Sequence, residues 1–149
     1  MSSLKPPPMD KAQILALADR VEALTGPDRG VDMEVAIACG WARNWSDQQY
    51  RKHPYLVGTF IDDHAAGVLH TCPAFSASLD AAMTLVPEGV GGEPLMTKIM
   101  NVPFATRRPP ANCEIIDTLT GRGWTAEAAI PALALTAASL RAMAGGEDA

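Results

Sequence analysis

Apolar residues are densest in one stretch, Pro131-Ala-Leu-Ala-Leu-Thr-Ala-Ala-Ser-Leu-Arg-Ala-Met143, where Arg141 is the single charge. Ala and Leu are strong helix formers, and Pro131 suits a first helical position because its missing N–H is not needed there. A helix apolar on nearly every side must be packed inside a core, and Gly145-Gly146 is the expected stop. Upstream, Ile14, Leu17, Ala18, Val21 and Leu24 recur at helical spacing behind Asp10-Lys-Ala-Gln13, which reads as a capping box. Gly26-Pro27 should end that first helix, with Gly26 as a left-handed cap. Asp28 should cap a second helix closed by Gly40, with Val31, Val35, Ala38 and Cys39 inward, forming a tight hairpin with the first.

From Trp41 to Tyr55 the periodicity fails, and mostly loop is expected. Tyr55 to Ile61 reads as a short strand, with Gly58 at a bulge, and Asp62 to Pro73 as an irregular connection. Ser76 to Val86 reads as a third helix with Ser76 as N-cap, Leu79, Ala82, Met83 and Val86 inward, and Pro87 as the stop. Gly89 to Pro94 is a turn. Leu95 to Val102 and Asn112 to Leu119 read as strands joined by a Pro- and Arg-rich loop, Pro103 to Pro110. After a turn at Thr120-Gly-Arg-Gly123, the alternation of Trp124, Ala126 and Ala128 predicts a last strand. Four helices and three or four strands define an α/β (α+β) fold, with helices against a small, mainly antiparallel sheet. The expected organisation is a flexible lead-in over 1–9, a single domain over 10–145 and a tail over 146–149.

Composition sharpens this only a little. A chain of 149 residues, 48% apolar and 19% charged, is sized and balanced for one globular domain. A net charge of −5 argues against a dedicated nucleic-acid binder. Cys39, Cys72 and Cys113 are widely spaced and odd in number, the usage of a reducing compartment. Met1 to Pro8 has no apolar signal-peptide core, and the longest apolar run is too short for a bilayer. A cytoplasmic protein with no membrane contact is expected.

Four strings, in order, carry a family resemblance. They are Leu15-Ala-Leu-Ala-Asp-Arg-Val-Glu-Ala-Leu-Thr-Gly-Pro-Asp-Arg29, then Asp32 with Ala36-Ile37-Ala38 and Gly40-Trp41, then Phe75-Ser-Ala-Ser-Leu-Asp-Ala-Ala-Met-Thr-Leu-Val-Pro-Glu-Gly89, and the closing apolar stretch. Together they cover about half the chain and resemble the phage ABA sandwich domain family, small proteins of phages and prophages. The resemblance implies a three-layer helix–sheet–helix sandwich and the cytoplasm of a bacterial host; it implies no established activity. The family's closing helix begins Thr-Pro, whereas Ile130 stands here and cannot cap, a loss worth about 1 kcal/mol. Gly91 to Thr120 follows the family pattern only loosely.

Candidate chemistry is sparse. His64-x5-His70-x-Cys72, with Asp62 and Asp63 upstream, has zinc-compatible ligand types but the spacing of no known zinc pattern. A loop with solvated histidines and a buried cysteine is the favoured reading there. Ser76, Ser78, Asp80 and Glu88 flank the third helix without a nucleophile elbow or a metal-binding His pair. Gly89-Val-Gly-Gly92 and Gly121-Arg-Gly123 lack the residues that complete phosphate-binding loops. The Trp41–Tyr55 stretch is richer: Trp45 and Tyr50 can stack a planar group, while Arg43, Arg51 and Lys52 can neutralise phosphate. Arg107 and Arg108 on a second loop are candidates for the same site; Trp41 is assigned a structural role.

Two functions follow. The preferred one is a non-catalytic phage or prophage accessory protein without a cofactor, sequestering a small anionic, nucleotide-like ligand or a host protein. Its pocket would join the aromatic–basic loop to Arg107 or Arg108. The alternative is a small hydrolytic enzyme, metal-dependent, built on Asp62, Asp63, His64 and His70. A third, structural role would bring self-association, and the Ala-rich helices suit a homodimer.

Overall fold

The computed structural model describes residues 10–39, 51–52, 59–62, 68–89, 93–101 and 111–146. Its elements are α1 (Lys11–Ala23), α2 (Arg29–Ala38), β1 (Thr59–Asp62), β2 (Val68–Thr71), α3 (Leu79–Met83), β3 (Met96–Asn101), β4 (Ala111–Asp117), β5 (Arg122–Ala128) and α4 (Pro131–Gly146). This is an α+β fold with an antiparallel sheet in the order β3-β4-β5 and a separate β1–β2 hairpin. No described helix is long and apolar enough to cross a membrane.

The helix α4 is the centre of the core. Every residue from Ala132 to Leu140 is buried, as an all-round apolar surface requires. It packs on all three sheet strands and on α1 and α3. The sheet meets it through Ala111, Cys113 and Ile115 of β4 and Ala126 and Ala128 of β5, mostly small side chains that let the helix come close. The opposite sheet positions Met96, Lys98, Met100, Asn112 and Thr125 are exposed. Helices therefore cover one face of this sheet among the described residues, and the second outer layer of a sandwich is not formed by them.

Several local expectations hold. Asp10 and Gln13 form the capping box of α1 with bonds of 2.8 and 2.9 Å. Asp28 caps α2, accepting from the Val31 amide at 3.0 Å. Gly121 takes the turn between β4 and β5 at φ 76°, which only glycine adopts without strain.

Others are corrected. The first helix ends at Leu24 in extended conformation, not at a left-handed Gly26; the following Pro27 disfavours helical backbone at that residue. The tight α1–α2 hairpin is not formed: α1 packs principally on α4 and touches α2 lightly. Arg20 and Glu34 join the two helices through paired 2.8 Å bonds. In α2 the buried set is Val31, Asp32, Met33, Val35 and Ala36, while Ala38 is half-buried and Cys39 exposed. Satisfied polar partners allow Asp32 to lie inside, which turns the helix relative to its apolar spacing.

The third helix is a five-residue piece capped by Ser78, not Ser76, with Leu79 and Met83 exposed and Ala82, Leu85 and Val86 buried. The expected irregular connection contains β2, whose Asp62↔Val68 to Thr71↔Thr59 register with β1 could not be read locally. Gly145 and Gly146 are the last two residues of α4.

Candidate functional site

Of the anionic-ligand candidates, Arg43, Trp45, Tyr50, Arg107 and Arg108 lie outside the described residues. Arg51 and Lys52 are helical and exposed, where loop was expected. Of the metal and hydrolytic candidates, Asp63 and His64 also lie outside. His70 stands on β2 opposite Phe60, and Asp62 ends β1 opposite Val68. Cys72 is buried, and its thiol, pushed up to about 11 by burial, donates to the Pro73 carbonyl at 3.4 Å. A protonated, hydrogen-bonded thiol is a poor metal ligand. No group of three or more His, Cys, Asp or Glu able to hold a metal occurs among the described residues.

Both serines flanking α3 have structural partners. The Ser78 hydroxyl accepts from the Ala81 amide at 3.2 Å. The Ser76 hydroxyl accepts from the Asp28 amide at 2.8 Å, and the Ser76 amide donates to Asp32 Oδ1 at 2.8 Å. Asp32, 1% exposed, takes Arg29 Nη1 on its other oxygen at 3.0 Å, and Arg29 Nη2 reaches the Cys72 carbonyl at 2.7 Å. This buried carboxylate thus clamps the segment from Cys72 to Ser78 against the start of α2. The spacing of apolar residues gave no sign of it.

The clamp shapes a cleft. The end of α2 (Cys39), the clamped segment (Pro73, Phe75), the end of α3 (Thr84, Leu85) and the last turns of α4 (Met143) enclose about 530 Å³. That lies within the size range of small-molecule sites. Phe75 is buried, 2% exposed; its carbonyl lies 3.3 Å from the Thr136 hydroxyl of α4, whose proton has the Ala132 carbonyl nearer, at 2.7 Å. Cys39 is exposed as a residue, and its Sγ lies 4.0 Å from Met143 Sδ. Burial of that sulfur pushes the thiol up to about 11, so it is neutral at physiological pH. The Thr84 hydroxyl is committed to the Ala81 carbonyl at 2.6 Å.

Apart from Thr84 the walls are apolar, sulfur-containing and aromatic, and among the described residues no charged one lines them. Such a surface holds a flat or apolar group by dispersion and exclusion of water. Among the described residues it carries no acid–base pair and no activated nucleophile. The cleft escaped sequence reading because its lining comes from four separate segments, none with a motif.

No family model matches the chain, and no curated protein and no solved structure matches it.

Proposed function

We propose that the protein is a non-catalytic binding protein that takes up a small ligand by an apolar or planar portion in the cleft between Cys39, Phe75, Leu85 and Met143. The cleft is the observation that carries this reading. Anionic character in the ligand is supported by sequence: the stretch holding Arg43, Trp45, Tyr50, Arg51 and Lys52 begins directly after the residues at the cleft's edge. A nucleotide-like molecule combines a planar base with phosphate and fits both parts. Sequestration of such a ligand in the host cytoplasm, as a phage or prophage accessory, is the biological role proposed, by analogy of fold and context alone. The three free cysteines suit that compartment.

A thermal-shift screen of nucleotides, cyclic nucleotides and divalent metals tests the proposal. A ligand at a hundred times its dissociation constant adds about 2.7 kcal/mol of stability. The expected result is a nucleotide-dependent shift lost in Thr84→Trp, which fills the cleft from an exposed position, and reduced in Arg51→Ala. A shift that survives Thr84→Trp places the ligand elsewhere and defeats the proposal. A zinc-dependent shift lost in His70→Ala would instead favour the hydrolytic reading.

A further inference from the structure

The outer face of the sheet carries an arrangement that the cleft does not explain. Alternation along β3 turns Thr97 and Ile99 toward α4 and leaves Met96 and Met100 outward, 57% and 52% exposed, with the exposed Lys98 between them. Their cross-strand partners on β4 are Ile116, Asn112 and Glu114, in the pairs Met96↔Ile116, Met100↔Asn112 and Lys98↔Glu114. Lys98 and Glu114 stand opposite each other, yet no ion pair joins them among the described residues. At the Met96 end lies a small, mostly polar hollow of about 130 Å³, lined by Met96, Ile116 and the 71% exposed Leu119 together with Glu93, Asp117 and Thr118.

We propose that this face is the contact surface for a second copy of the chain. The argument is self-complementarity. A twofold axis parallel to the strands, running between β3 and β4, lays each β3 on the β4 of the other copy. Met96 then covers Ile116 of the second copy and closes the hollow, and Lys98 meets Glu114 of the second copy. Both contacts are made twice, as an isologous interface requires. Placing the axis along β4 would set Glu114 on Glu114, and an axis across the strands at Lys98 would set Lys98 on Lys98. Charge thus favours this packing over those two.

The two sheets would lie face to face at about 10 Å, the ordinary spacing of stacked sheets. β3 and β4, of six and seven residues, give a footprint of about 20 Å by about 10 Å. That is below the standard size of a stable interface, so the dimer is weak and dependent on concentration.

Sedimentation equilibrium of the full chain, from about 5 to about 500 µM, tests this. The expected mass rises from 15.7 kDa toward twice that value. Lys98→Glu should raise the dissociation constant about a hundredfold or more, by opposing two acids. The exchange Lys98→Glu with Glu114→Lys should restore it to within a few-fold. Met96→Asp, at a position 57% exposed, should weaken the dimer independently and serves if Lys98→Glu melts non-cooperatively. A single-chain mass throughout the range overturns the proposal. So does a dimer unaffected by Met96→Asp, or a folded charge exchange that fails to restore what Lys98→Glu removed; strand-edge pairing through β3 would give the last result.

Discussion

Trp124 and Gly145 set how closely the last turn of α4 can approach the sheet. A Cβ at Gly145 would lie 2.4 Å from Trp124 Nε1, so the indole rests where only a glycine leaves room. Arg122 also lies over the ring, its guanidinium 5.2 Å from the ring centroid and its Nη2 donating to the Gly145 carbonyl at 3.0 Å. A cation there also complements the helix C-terminus. Gly145→Ala should therefore destabilise the protein by about 1–3 kcal/mol through overpacking, although alanine favours helix. Urea unfolding checks this, and an unchanged midpoint would mean that the indole moves freely.

A second residue-scale contact carries a pH signature. Arg141, the lone charge of α4, donates to Glu22 and Asp19 of α1 and to the Thr125 carbonyl of β5, the last two at 2.8 Å. The other Glu22 oxygen accepts from the Glu127 amide at 2.9 Å. Thr125 and Glu127 thus have backbone groups on the edge of β5 turned away from β4, and this ion pair seals that edge. The Arg141 hydrogen bond lowers the Glu22 pKa, burial opposes it, and the Glu127 amide lowers it further. A lowered folded pKa means stability present above the unfolded value, about 4.3, and lost as pH falls through the folded one. Glu22→Gln should cost about 1–3 kcal/mol at pH 7. Its stability difference from wild type should shrink below about pH 4, which denaturant titrations across pH measure.

At the scale of elements, local chemistry and long-range pairing separate cleanly. The Asp10–Gln13 box, the Asp28 cap and the alternation of β5 are written within a few neighbouring residues, and so they were legible; β4, with Ile115 and Ile116 adjacent, alternates imperfectly. The β1–β2 register depends on pairing across an intervening segment, and the shortness of α3 follows from Ser76 being drawn to Asp28 and Asp32. Neither has a local signal. The cleft likewise needs four segments to meet. The exposed row Met96, Lys98 and Met100, by contrast, could have been read from strand alternation alone. The start of α2 is where the two kinds of information join, because Asp28 both caps the helix and bonds Ser76. Asp28→Ala should cost about 1 kcal/mol for the cap and leave the Ser76 contact in place, because Ser76 bonds the Asp28 backbone and its amide donates to Asp32. Hydrogen exchange should show protection lost at the Val31 amide and kept at the Ser76 amide; loss at both would show that the clamp depends on the cap.

For the whole molecule, the apolar closing stretch correctly announced the core, because no surface could accommodate such a helix. The direction in which its neighbours pack was not legible. Cys72 and Cys113 lie in that core, with thiols pushed up to about 11 by burial. A thiol reagent at pH 8 should label at most Cys39, slowly, in the native protein and all three cysteines in denaturant. Rapid native labelling of two or more would show that the core opens readily.

The position of α4 also orders events in time. α1, α3 and all three strands that it touches precede it along the chain, so a ribosome completes every one of them before their common partner exists. Until α4 has cleared the exit tunnel, the inner face of the sheet and the apolar stripe of α1 have nothing to cover them. Folding of this domain must wait for its last helix, and the nascent chain is exposed to chaperones throughout that interval.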